Sequence, residues 1–248
     1  MKKIKTALCA VLPLALLAAC SAQKTETGGE TAAYRDTASA TDSFTEYEGA
    51  DITVENSDGD TEILPSPESL TDAFDYTAGA NMSADFDALS ALMELEKSAV
   101  TKPGGSEVKK AFESGAEAVK LACDKKSVTV SLDSGSEGCL FAECPESAVT
   151  VKNADNAVLL DCASAEIKKC SGFVVIAAEG CGCVIYDAAA AVFCEGGNSV
   201  TTLKAAPEVI YVRNNTADVI NKSGETVTVI RSNGLGVALA DGERLLSR

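Results

Sequence analysis

The chain reads as an all-β solenoid, and three observations predict it. An apolar residue recurs every nine positions: Leu140, Val149, Val158, Ile167, Ile176, Ile185, Cys194, Leu203 and Val212. Each sits in a short β-prone run, and Gly-, Asn-, Ser- or Ala-rich turns separate the runs. A fixed short period of this kind marks repeat architectures, in which each unit buries its apolar face on the next. The runs themselves begin near Val119, Val128, Leu140, Val149, Val158, Ile167, Val174, Cys183, Val192, Val200, Val209, Val219, Val227 and Val237. Three faces per coil would give 27 residues per turn, and two would give 18.

The N-terminus is a targeting segment rather than part of the fold. Lys2, Lys3 and Lys5 make a positive region, and Ala7 to Leu17 an apolar one too short to span a bilayer. Leu17-Ala18-Ala19-Cys20 follows, and it resembles the lipobox of bacterial lipoproteins. The resemblance implies that residues 1–19 are removed and that Cys20 carries the lipid, anchoring the chain outside the cytoplasm on the cell envelope. Residues 20–45 hold almost no large apolar side chains and read as a flexible linker.

Residues 46–105 form a small cap segment with a strand pair and a helix. Ala50 to Glu55 alternates like a strand, Asn56-Ser57-Asp58-Gly59-Asp60 turns, and Thr61 to Leu64 returns. The Asp-rich turn lacks the closing Glu of a calcium loop. Residues 83–99 read as a helix, with Ser83 as N-cap, Asp85 and Asp87 near the positive end of the dipole, and Phe86, Leu89, Leu92, Met93 and Leu95 on one side. That stripe fits a face packed on the solenoid. Residues 106–240 are the solenoid with its own N-terminal helix, for which Ser106 is the expected N-cap, Val108 and Phe112 share a face, and Gly115 is the stop. Residues 241–248 read as a polar tail with no strong cap, so the last coil is expected to be covered by residues 46–105 or by a partner.

The stretch EVKKAFESGAEAVKLA (residues 107–122) resembles the beginning of right-handed parallel β-helices of the pectate-lyase-like type, where a short helix plugs the open end of the coil. The resemblance implies that fold and favours three faces per coil. It also points to a carbohydrate-active reading, in which Asp161, Asp187 and Arg213, 26 residues apart, line up on a three-faced coil with Glu195 and Lys168 on adjacent rungs. These are weak catalytic candidates, because strand ends carry charge simply by being solvated, and few long loops are present to wall a cleft.

Composition narrows the function. The chain has 248 residues, no His and no Trp, and a net charge of −16. Without His it lacks the commonest general base and metal ligand. Its acidity argues against a nucleic-acid partner, which needs a basic face. No Gly-rich loop or metal-ligand spacing implies a cofactor or metal; Cys181 and Cys183 lack the spacing of a zinc site. Apart from Cys9 and Cys20, eight cysteines remain: Cys123, Cys139, Cys144, Cys162, Cys170, Cys181, Cys183 and Cys194. They read as buried thiol ladders or disulfides. An 18-residue coil stacks Cys144, Cys162 and Cys181 at one corner, whereas a 27-residue coil sets Cys144 over Cys170. The expected function is a non-enzymatic surface lipoprotein whose solenoid binds a polysaccharide, a cell-envelope polymer or a protein. The alternative is a polysaccharide lyase-like enzyme or its degenerate relative.

Overall fold

The computed structural model describes residues 52–64, 76–187, 189–231 and 236–246. The signal segment 1–19, Cys20 and the linker 20–45 lie outside the described residues, as do Ala50 and Asp51 of the first expected strand. The chain is a parallel β-solenoid, preceded by a hairpin and capped at its start by a helix. A hairpin comes first, β1 (Ile52–Glu55) with β2 (Thr61–Leu64), then helix α1 (Tyr76–Leu95), a 3₁₀ turn (Glu96–Ser98), β3 (Val100–Lys102) and helix α2 (Gly105–Glu113). The solenoid follows: β4 (Ala118–Ala122), β5 (Ser127–Ser131), β6 (Cys139–Ala154), β7 (Asn156–Cys170), β8 (Phe173–Ile176), β9 (Gly182–Ile185), β10 (Ala191–Cys194), β11 (Val200–Leu203), β12 (Val209–Val212), β13 (Asp218–Asn221) and β14 (Val227–Arg231). Two short strands finish it, β15 (Gly236–Leu239) and β16 (Arg244–Leu246).

The strand register corrects the expectation of three faces. Phe173 pairs with Ala191 and Ala191 with Val209, 18 residues apart each time. Gly182 pairs with Val200 and Val200 with Asp218, again 18 apart. One coil is therefore two strands and two corners. The first sheet runs through β4, β6, β8, β10, β12 and β14, and the second through β5, β9, β11 and β13; β6 and β7 bend around a corner and serve both. The physical reason lies in the outward positions. Phe141, Val158, Val175, Phe193, Tyr211 and Ile230 pair in register along the outside of the first sheet. They form one apolar cluster with Met82, Phe86 and Leu89 of α1. Such an outward ladder exists only if every second strand shares a sheet. It also places Val158, a member of the nine-residue series, outside the coil, while Ala157 and Leu159 point into the interior.

The interior is filled by Val, Leu, Ile, Ala and Cys from both sheets. Helix α1 is strapped across the first sheet. It starts at Tyr76, so Ser83 lies inside it rather than at its N-cap. Met82 and Phe86, four residues apart and both buried, carry the apolar stripe back beyond Ser83. Asp85 accepts a 2.6 Å hydrogen bond from the Tyr211 hydroxyl, which ties the helix to the sheet.

Helix α2 covers the first coil with Val108 fully buried. Its N-cap is Gly104, not Ser106, whose hydroxyl donates instead to Glu107 Oε2 at 2.9 Å. Gly105 sits against the Thr129 carbonyl, where a Cβ would collide with backbone. Gly115 stops the helix at φ +87°. At the far end β15 turns back antiparallel on β14, and β16 antiparallel on β13. The segment expected as a polar tail thus supplies a strand whose Leu245 is buried. β1 pairs with β16 and β2 with β1, so the strand pair before α1 extends the second sheet past the last coil.

Candidate functional site

The 18-residue coil distributes the expected site residues over two corners. Asp161 pairs in register with Glu143 at the end of a first-sheet strand. Arg213 follows β12 at the same corner three coils on, and its guanidinium meets Glu195 Oε1 at 3.4 Å and lies 5.1 Å from the Phe86 ring centroid. Burial pushes the Glu195 carboxyl up, and Arg213 partly offsets this. Asp187 follows β9 at the opposite corner. It lines a shallow polar hollow of about 460 Å³ with Glu137, Asp155, Lys169 and Ser171. The structure brings Glu195 and Arg213 together and keeps Asp187 apart from both Asp161 and Arg213. Lys168, on the second sheet, bonds Glu166 at 2.7 Å.

The second sheet carries a different array. Its outward row of Thr129, Thr150, Glu166, Val184, Thr202 and Ile220 pairs in register from coil to coil and is exposed or half-buried. Beside that row runs a column of long side chains. Lys152 pairs with Lys168. Tyr186 stacks one coil further, its N–H donating to the Ile167 carbonyl. Lys204 and Lys222 follow, their backbone N–H groups donating to the Ile185 and Leu203 carbonyls. Neighbouring strands lie about 4.7–4.9 Å apart, so the column offers one long polar side chain per step of that size. The Lys168 ammonium lies 4.9 Å from the Tyr186 ring centroid, a cation–π contact. Tyr186 is 43% exposed, one of two large apolar side chains so exposed among the described residues. Lys204 and Lys222 make no ion pair among the described residues, and their side chains are free to meet a ligand.

Sequence reading missed this column, though its signal is present. Lys168, Tyr186, Lys204 and Lys222 recur at intervals of 18, a period that becomes meaningful once the coil length is known. Among the described residues, no group of three or more carboxylates or thiols converges as metal ligands. No protein-family model, curated protein or solved structure matches the chain.

Proposed function

We propose that this chain is a lipid-anchored protein of the bacterial cell envelope whose open sheet binds an anionic polysaccharide or related cell-envelope polymer. Residues 1–19 act as the signal, Cys20 carries the lipid, and residues 20–45 hold the solenoid off the membrane. Phosphate or carboxylate groups repeating along an extended polymer meet a lysine on four of the five successive coils, and on the fifth Tyr186 supplies an aromatic surface for a sugar ring. The observation that carries this reading is the column of Lys152, Lys168, Tyr186, Lys204 and Lys222 on a chain of net charge −16. On so acidic a protein, four lysines gather along one edge of a sheet, and only Lys168 among them makes an ion pair among the described residues, with Glu166.

Two measurements test it. The full chain and a Lys204→Glu/Lys222→Glu variant are titrated with a soluble polyuronate at low and high salt. The wild type is expected to bind, and the variant to bind at least about tenfold more weakly, the equivalent of roughly 1.4 kcal/mol. Absence of binding, or equal binding by both proteins, rejects the polymer reading. If unsaturated ends appear in the same mixture with calcium, the protein is an enzyme. For the anchor, Cys20→Ala is expected to move the protein from the detergent phase to the aqueous phase on phase partitioning.

A further inference from the structure

The solenoid encloses a column of sulfur. Cys123, Cys144, Cys162 and Cys181 occupy the same corner, one per coil. Cys144 pairs in register with Cys162, and Cys123 directly follows the pair Ala122–Glu143. The sulfurs touch in two pairs: Cys123 Sγ lies 3.3 Å from Cys144 Sγ, and Cys162 Sγ lies 3.5 Å from Cys181 Sγ. All four are free thiols. They differ in access. Cys123 is half-buried at the capped end, whereas Cys144, Cys162 and Cys181 are closed off from solvent.

We propose that Cys123 and Cys144 are a redox-active pair that closes to a disulfide in the folded protein, while Cys162 and Cys181 remain a dithiol. The geometry permits closure without moving a strand. A disulfide spans Cα atoms about 4.4–6.8 Å apart, and adjacent coils present stacked residues about 4.7–4.9 Å apart. Packing alone would be served by Ala or Val at these positions. Two thiols in contact, one of them open to solvent, add a reaction.

The co-reactant is a low-molecular-weight disulfide, RSSR. Cys123 gives its proton to water, and its thiolate attacks one sulfur of RSSR. A mixed disulfide forms and RS⁻ leaves. Cys144 then loses its proton and attacks the Cys123 sulfur, displacing the second RS⁻. Two protein thiols are oxidised, RSSR is reduced to two RSH, and the protons balance. Burial pushes the Cys144 thiol up to about 12, so its thiolate is scarce near neutrality and the second step quickens as pH rises. RSSR has no path to Cys162 or Cys181. The new bond ties the turn after β4 to β6, beneath helix α2, at an end from which a solenoid unravels. This inference stands whether or not the open sheet binds a polymer.

The test uses the full, reduced chain, held native with excess oxidised glutathione, quenched by alkylation and mapped by peptide mass spectrometry. The expected map shows Cys123 linked to Cys144, and Cys162 and Cys181 alkylated only after unfolding. Loss of the link on adding reductant, without unfolding, completes the expectation. Cys144→Ser should trap Cys123 as its glutathione mixed disulfide, and Cys123→Ser should leave Cys144 unmodified. The proposal is overturned if Cys123 and Cys144 stay free at equilibrium. It is equally overturned if a mixed disulfide persists on wild-type Cys123, or if Cys162–Cys181 closes as fast as the outer pair. The wild-type map decides alone, so the result does not depend on either variant folding.

Discussion

Tyr211 shows how one side chain can serve two layers. Its ring stacks on Phe193 at 4.9 Å and meets Phe86 at 5.0 Å, while its hydroxyl donates to Asp85. Burial, and then the Asp85 carboxylate, hold that hydroxyl protonated well above the ordinary phenol range. Tyr211→Phe keeps the ring and removes the donor. The expected loss is about 1–2 kcal/mol in urea unfolding, because a hydrogen bond to a charged group is worth more than a neutral one and Asp85 keeps some access to water. The buried thiols act together. Burial pushes Cys139, Cys144, Cys170 and Cys194 up to about 12, and raises Cys183 as well; Cys162 is raised by its contact with Cys181 and by burial. In the unfolded chain they ionise near about 8.5. Above that pH the unfolded state binds fewer protons than the native one, so stability falls as pH rises, by up to about 1.4 kcal/mol per pH unit for each thiol. Urea midpoints should hold steady around neutrality and decline from roughly pH 9 upward. Replacing Cys139 and Cys170 by Ala should make the decline shallower.

At the scale of the element, the strap and the antiparallel end solve the same problem for different surfaces. Helix α1 covers an apolar sheet exterior that water would otherwise meet, and β15, β16 and the hairpin continue strand edges that would otherwise pair with another molecule. Phe86→Ala removes the side chain that sits against both Phe193 and Tyr211. It should cost about 3–5 kcal/mol and raise the binding of an apolar dye, since the ladder beneath is then partly open. A chain ending at residue 240 loses β16 from between β13 and β1. It should form concentration-dependent oligomers in sedimentation velocity while keeping its β-rich circular dichroism. The apolar stripe of α1 was legible from Phe86 and Leu89, and so was its packing on the solenoid. Its true start was not, because Ser83 is a good N-cap by type and Met82 alone signals that the stripe extends further back. Ser106 misled in the same way: a residue suited to capping stood two places inside a helix whose start is set by the close approach of Gly105 to Thr129.

Across the whole molecule, the nine-residue beat located nearly every solenoid strand, because each strand-plus-corner unit buries at least one branched apolar residue. It did not distinguish two faces from three, since inward positions look alike on every face. The distinction lay in the outward positions. The runs Phe173-Val174-Val175-Ile176, Ala191-Val192-Phe193-Cys194 and Val209-Ile210-Tyr211-Val212 are apolar throughout, while the runs between them, Gly182-Cys183-Val184-Ile185 and Val200-Thr201-Thr202-Leu203, carry Gly or Thr, and the succession of the two kinds is an 18-residue pattern. The column of Lys168, Tyr186, Lys204 and Lys222 was hidden for the same reason, and so was the separation of Asp187 from Asp161 and Arg213. A deletion pair turns this into a test. Removing residues 182–199 takes out β9 and β10 together and sets Val200 where Gly182 stood, so each later strand keeps its sheet and its inward face. Stability in such arrays is a sum of coils and their neighbour contacts, so this protein should stay soluble and unfold cooperatively at a modestly lower midpoint. Removing only residues 182–190 moves Ala191–Cys194 into the second sheet. Phe193, Tyr211 and Ile230 then face water and α1 loses its seat, so this shorter deletion should aggregate although it removes half as much chain. If both deletions are equally soluble, or the 18-residue deletion is the worse of the two, the two-strand coil is not the unit on which this fold is built.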